Sequence, residues 1–87
     1  MEQVYAITFQ EESEYGEYSS GLSFILKTQE LAKKYLNDIL ENEISNLKDS
    51  GYTKEELKID KQDDYFIIQY DGGYVEFNIS SYSILEQ

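Results

Sequence analysis

From Thr28 to Gly51 the apolar residues recur on a helical period. Leu31, Ala32, Tyr35, Leu36, Ile39, Leu40, Ile44 and Leu47 fall at steps of three and four, while Lys33, Lys34, Asn37, Glu41 and Lys48 fall on the other side. Thr28 is the predicted N-cap and Gly51 fits the left-handed position beyond the last turn. Glu30 in the first turn and Lys48 in the last both favour the helix dipole. A helix of about twenty residues is roughly 30 Å long, and its one apolar stripe needs a sheet to lie on.

The flanking segments read as strands. Val4–Phe9 is β-branched and aromatic, with Tyr5, Ile7 and Phe9 on one face. Leu22–Lys27 forms the second strand, and the polar segment Gln10–Gly21 between them predicts an antiparallel hairpin with a long acidic loop. After the helix, Thr53-Lys54-Glu55-Glu56 matches a capping box and predicts a single helical turn. Leu57–Asp60 reads as a short third strand. Tyr65–Tyr70 is the strongest strand signal, its continuous apolarity predicting a central place in the sheet. Asp71-Gly72-Gly73 predicts a tight turn whose two glycines tolerate positive φ, and then Val75, Phe77 and Ile79 point inward, with Tyr74, Glu76 and Asn78 outward. Ser80–Gln87 reads equally as a short helix or a final edge strand. The sum is one α+β domain over residues 1–87, order ββαβββ, with one helix on an antiparallel sheet of about five strands. One sheet face is left uncovered, either a wet surface or a binding surface.

Charge changes this picture more than length does. Eighteen acids stand against seven lysines, with no arginine and no histidine, giving −11. Residues 1–26 and residues 62–87 each carry five acids and no base, while every lysine lies between Lys27 and Lys61. Such a field repels nucleic acid and anionic membrane and steers the chain towards a basic partner. With no cysteine there is neither a disulfide framework nor a thiolate metal site. The opening Met-Glu-Gln-Val-Tyr has no basic and apolar run of a secretion signal, and no segment reaches membrane-spanning length, so a cytoplasmic location is expected.

Catalytic chemistry finds little here. Histidine, the usual general acid–base, is absent, the serines have no triad partner, and no glycine-rich phosphate loop follows a strand. A carboxylate pair remains, but eighteen acids will always supply one. The expectation is a protein without enzymatic activity or cofactor. Asp60, Asp63, Asp64 and Asp71, like Glu11, Glu12, Glu14 and Glu17, do not follow the spacing of a calcium loop and read as solvated acidic turns rather than a metal site. Nine tyrosines are many for 87 residues, and tyrosine is a favoured contact residue. Tyr5, Tyr35 and Tyr70 read as core, Tyr65 and Tyr74 as sharing the open face, and Tyr15 and Tyr18 as loop residues without a core role. Acids alternating with tyrosine at roughly 6–7 Å read either as an imitation of the charge array of a nucleic-acid backbone or as acidity that simply keeps a small protein in solution.

A chain under a hundred residues, acidic, tyrosine-rich, free of cysteine and built as hairpin, helix and sheet, resembles the small phage-encoded anti-CRISPR and other anti-defence inhibitors. That resemblance implies a stoichiometric inhibitor acting inside a bacterium on the nucleic-acid-binding surface of a nuclease complex such as a CRISPR effector. The candidate contact residues are Glu11, Glu12, Glu14, Tyr15, Glu17, Tyr18, Asp63, Asp64, Asp71, Tyr74 and Glu76. A different class of function, a structural domain that homodimerises through an edge strand or the tyrosine face, is the alternative.

Overall fold

The computed structural model describes residues 2–84. Strand β1 (Glu2–Glu12) and strand β2 (Tyr18–Leu26) precede helix α1 (Gln29–Asp49). A 3-10 turn (Lys54–Glu56), β3 (Lys58–Lys61), β4 (Tyr65–Tyr70) and β5 (Gly73–Ile84) follow. The five strands form one antiparallel sheet in the order β2-β1-β5-β4-β3, with α1 across one face. This is the α+β, ββαβββ architecture that the patterning predicts.

Local chemistry sets the ends of α1. The Thr28 hydroxyl accepts the Leu31 amide at 3.1 Å, closing the N-terminus. At the other end Gly51 has φ +104°, its amide donates to the Lys48 carbonyl at 3.0 Å, and the Tyr52 amide donates to the Leu47 carbonyl at 3.1 Å. Those two bonds make a Schellman motif, and they deliver Tyr52 to the sheet, where its ring meets Tyr70 edge-on at 5.3 Å. Thr53 and Glu56 form the predicted capping box.

The core lies between α1 and the sheet. Ala32, Leu36 and Leu40 of the helix meet Ile7, Leu26, Leu57, Phe66, Ile68, Val75 and Phe77. Ladder pairing places Phe9 opposite Phe77 and Phe77 opposite Phe66, so three rings cross three strands in one row. Their centroids are 5.8 and 5.2 Å apart.

Four details depart from the sequence reading. The hairpin loop is Ser13–Glu17, because Gln10–Glu12 and Tyr18–Gly21 are strand. Glutamate, glutamine and serine are poor strand formers, but β1 is paired on both sides and the ladder outweighs propensity. The middle strand is β5, not β4, which lies between β5 and the short edge strand β3. The segment from Ser80 to Ile84 is neither a helix nor a separate edge strand but the continuation of β5 along β1, with residues 85–87 outside the described residues. The positive φ values of the β4–β5 turn belong to Asp71 (39°) and Gly72 (84°), as a two-residue hairpin of type I′ requires, and not to Gly73.

Gly73 is needed for closeness instead. A Cβ there would stand 2.7 Å from the Glu12 carbonyl oxygen and 3.3 Å from the Glu14 amide nitrogen, both backbone atoms. Gly73→Ala is therefore expected to destabilise the protein by about 1–3 kcal/mol, the usual cost of overpacking, measured by urea unfolding. A cost near zero would mean that the hairpin loop yields freely.

Candidate functional site

Glu11 and Glu12 close β1, the loop Ser13–Glu17 follows, and Asp71 heads the neighbouring β4–β5 turn. The loop is tied by its own serine. Ser13 Oγ accepts the amides of Tyr15 and Glu17, each at 3.2 Å, and the Ser13 amide donates to the Glu17 carbonyl at 2.8 Å. Gly16, at φ +81°, makes that turn. Tyr15 is thereby held out in solvent, 85% exposed.

Strand alternation divides the carboxylates between faces. Glu11 points to the helix side, where its charge reaches Glu43 and Tyr70. Glu12 points to the open side, in a row with Tyr18 of β2 and Tyr74 of β5. One residue inward, Tyr18 donates its hydroxyl to Gln10 Oε1 at 3.2 Å, Gln10 Nε2 donates to Glu76 Oε1, and Asn78 Nδ2 donates to the same oxygen at 3.0 Å. Tyr18, Gln10, Glu76 and Asn78 thus form one fixed polar strip on the open face.

The structure brings Glu11, Glu12, Glu14, Tyr15, Glu17, Tyr18, Asp71 and Tyr74 to one end of the sheet, with Glu76 just behind them. It does not bring Asp63 and Asp64 there. They form the β3–β4 turn, at the far end of β4, and share a surface depression with Gln29 and Lys33 of the helix start. At about 3.3 Å per residue, β4 separates Asp64 from Asp71 by roughly 20 Å.

Four residues at the acidic end had no site role in the sequence reading: Glu43, Tyr52, Glu56 and Tyr70. Burial and then the charges of Glu14, Asp71, Tyr70 and Glu56 hold the Tyr52 hydroxyl above its ordinary range. Tyr70 is raised by burial and then by Glu11, Glu43 and Glu14. Tyr74 is raised by burial, then Tyr18, Glu12 and Glu76. These tyrosines therefore stay protonated, as hydroxyl donors among carboxylate acceptors. Tyr70, Asp71 and Tyr74 also line an open groove of about 390 Å³, with Glu56 and Lys58 on its other side.

Glu43 was legible by position: it follows Leu36 and Leu40 on the apolar stripe, where a carboxylate is out of place. It is half-buried, and burial first and Glu11 second raise its pKa above 4.5. A carboxyl with a raised folded-state pKa binds its proton more tightly when folded, so stability falls as pH rises from 4.5 through the folded value. Glu43→Gln is expected to raise Tm at pH 7 by about 2–4 °C, with the gain disappearing below pH 4.5, in paired thermal scans. A variant less stable than wild type at pH 7 contradicts this reading.

Among the described residues no three carboxylates gather closely enough to hold a metal ion. No helix of the described residues is long and apolar enough to cross a membrane. What the end offers is an array of carboxylate acceptors, tyrosine hydroxyls and aromatic faces, the set that receives lysine ammonium and arginine guanidinium groups. Comparison of the chain with protein-family models, with curated proteins and with solved structures finds no match in any of the three.

Proposed function

We propose that this chain is a non-enzymatic binding protein whose acidic, tyrosine-bearing end occupies the basic surface of a nucleic-acid-handling protein. It acts there as an inhibitor of the anti-CRISPR type, in the cytoplasm of a bacterial host. The observation that carries the reading is the gathering of Glu11, Glu12, Glu14, Glu17 and Asp71 around Tyr15, Tyr18 and Tyr74. Lys27, Lys33 and Lys34 belong to the start of the helix, at the other end of β1, while Lys48 closes the helix near this end and Lys58 lines the groove beside Asp71 and Tyr74. Same-face residues on a strand recur at roughly 6–7 Å, close to two phosphate steps along one strand of a duplex. The polar strip behind the end is already hydrogen-bonded, so little side-chain entropy is lost on docking.

The test is affinity capture from a nuclease-treated bacterial lysate at about 50 mM and about 500 mM salt, with mass spectrometry of what is retained. Basic nucleic-acid-binding proteins are expected at the lower salt, displaced by added duplex DNA. Retention that ignores both salt and DNA contradicts the proposal.

A further inference from the structure

The two edges of the sheet are built differently. At one edge, β3 is four residues long and three of them, Lys58, Asp60 and Lys61, are charged. Short length and charge are the usual devices that stop edge strands pairing with other chains. At the other edge, β2 runs nine residues as YSSGLSFIL, with no charged side chain and no proline. Leu22, Phe24 and Ile25 on it are 55, 43 and 61% exposed. The register breaks between Ile7 and Thr8, leaving Ser23 as an extra residue in β2. That bulge puts both Leu22 and Ile25 on the open face, although their spacing of three would otherwise split them.

We infer that β2 is a self-association surface, and that its occupant is β2 of a second copy of this chain, paired antiparallel about a two-fold axis. Charge selects this edge. Two molecules at −11 repel each other, and β2 is the edge strand without an acid of its own. Pairing centred on Leu22, with the bulged Ser23 left out of the count, keeps like faces together. Leu22 then meets its own copy, Ser20 meets Ile25, and Tyr18 of each molecule comes opposite Lys27 of the other, an aromatic ring against an ammonium group. The antiparallel sense also sends the two acidic loops to opposite ends of the shared sheet. The pairing buries apolar surface, satisfies backbone groups left open at the edge and adds two symmetry-related lysine–tyrosine contacts. It does not rest on the inhibitor reading, but it would give the assembly two acidic ends and hence avidity towards a repeated partner.

Sedimentation velocity of the full chain alone tests it. Wild type is expected to sediment as a dimer, twice the 10.2 kDa chain mass. Leu22→Lys with Ile25→Lys, both at exposed positions, is expected to raise the dimer dissociation constant on the order of a hundredfold while the far-ultraviolet circular dichroism is unchanged. Lys27→Glu, which sets a carboxylate against the Tyr18 ring of the other copy, should weaken the dimer, whereas Lys27→Arg should keep it. Tyr82→Lys, on the open face of β5 away from the edge, should leave it intact. A wild type that is monomeric at about 100 µM overturns the inference. So does a dimer that survives the Leu22/Ile25 variant, or one that Tyr82→Lys dissolves equally, the result for face-to-face packing.

Discussion

Replacing Phe66 with alanine is expected to lower the unfolding free energy by about 3–5 kcal/mol, the usual cost of deleting a fully buried ring. Phe66 has 0% exposure, and its ring stacks on Phe77 at 5.2 Å with 24° between planes. Phe77 in turn leans on Phe9, so the deletion opens a hole at the end of a three-ring row under α1. A chain of this length has about 4–13 kcal/mol of total stability, so the loss removes a large part of it. Urea unfolding should show a lower midpoint with an unchanged slope. Phe66→Leu, which keeps most of the volume, should cost under about 1.5 kcal/mol. Phe24→Ala gives the contrast. Phe24 also contacts an aromatic ring, Tyr35 at 5.3 Å, but it lies on the edge strand and is 43% exposed. Its loss should cost about 1 kcal/mol. If Phe66→Ala is as mild as Phe24→Ala, the aromatic row is not the centre of the core.

That ordering of costs follows from what was readable in the chain and what was not. Periodicity and caps are local, so Thr28, Gly51 and the stripe through Leu36 and Leu40 were legible from neighbours alone. Inward Val75 and Phe77, and Ile7 with Phe9, followed from alternation in the same way. Strand ends are not local. Gln10–Glu12 and Tyr18–Gly21 have loop composition and become strand because partners lie beside them, which only the assembled sheet supplies. The bulge at Ser23 escaped for a related reason: an extra residue exists only relative to a partner strand. The candidate site divides along this line. Glu14, Tyr15 and Glu17 remained loop residues as read, Asp71 joined them through the β4–β5 turn, and Asp63 and Asp64 were separated by the length of β4. A run of sequence free of bases located the charge, but it could not say at which end of the sheet each acid would emerge.

Reversing Glu11, Glu12, Glu14 and Glu17 to lysine is expected to abolish capture of a basic partner at low salt. Exposed charge pairs contribute about 0.2–1 kcal/mol each, and reversal replaces attraction with repulsion. Four together should therefore weaken binding by two to three orders of magnitude, mainly through a slower association rate. The control matters as much as the variant. Reversing exposed Glu30, Asp38, Asp63 and Asp64, away from that end, gives the same change, raising the net charge from −11 by eight units to −3. If overall acidity steers the encounter, both variants fall alike, because the summed field depends on total charge and not on where each acid sits. If the acidic end is the contact, only the first collapses and the second loses a few-fold. Salt titration separates the same two cases. The wild-type and control proteins should show affinity falling steeply with ionic strength, whereas the first variant should show a flat response. Equal losses in both variants would leave −11 as a general electrostatic property and remove the acidic end as a recognition surface.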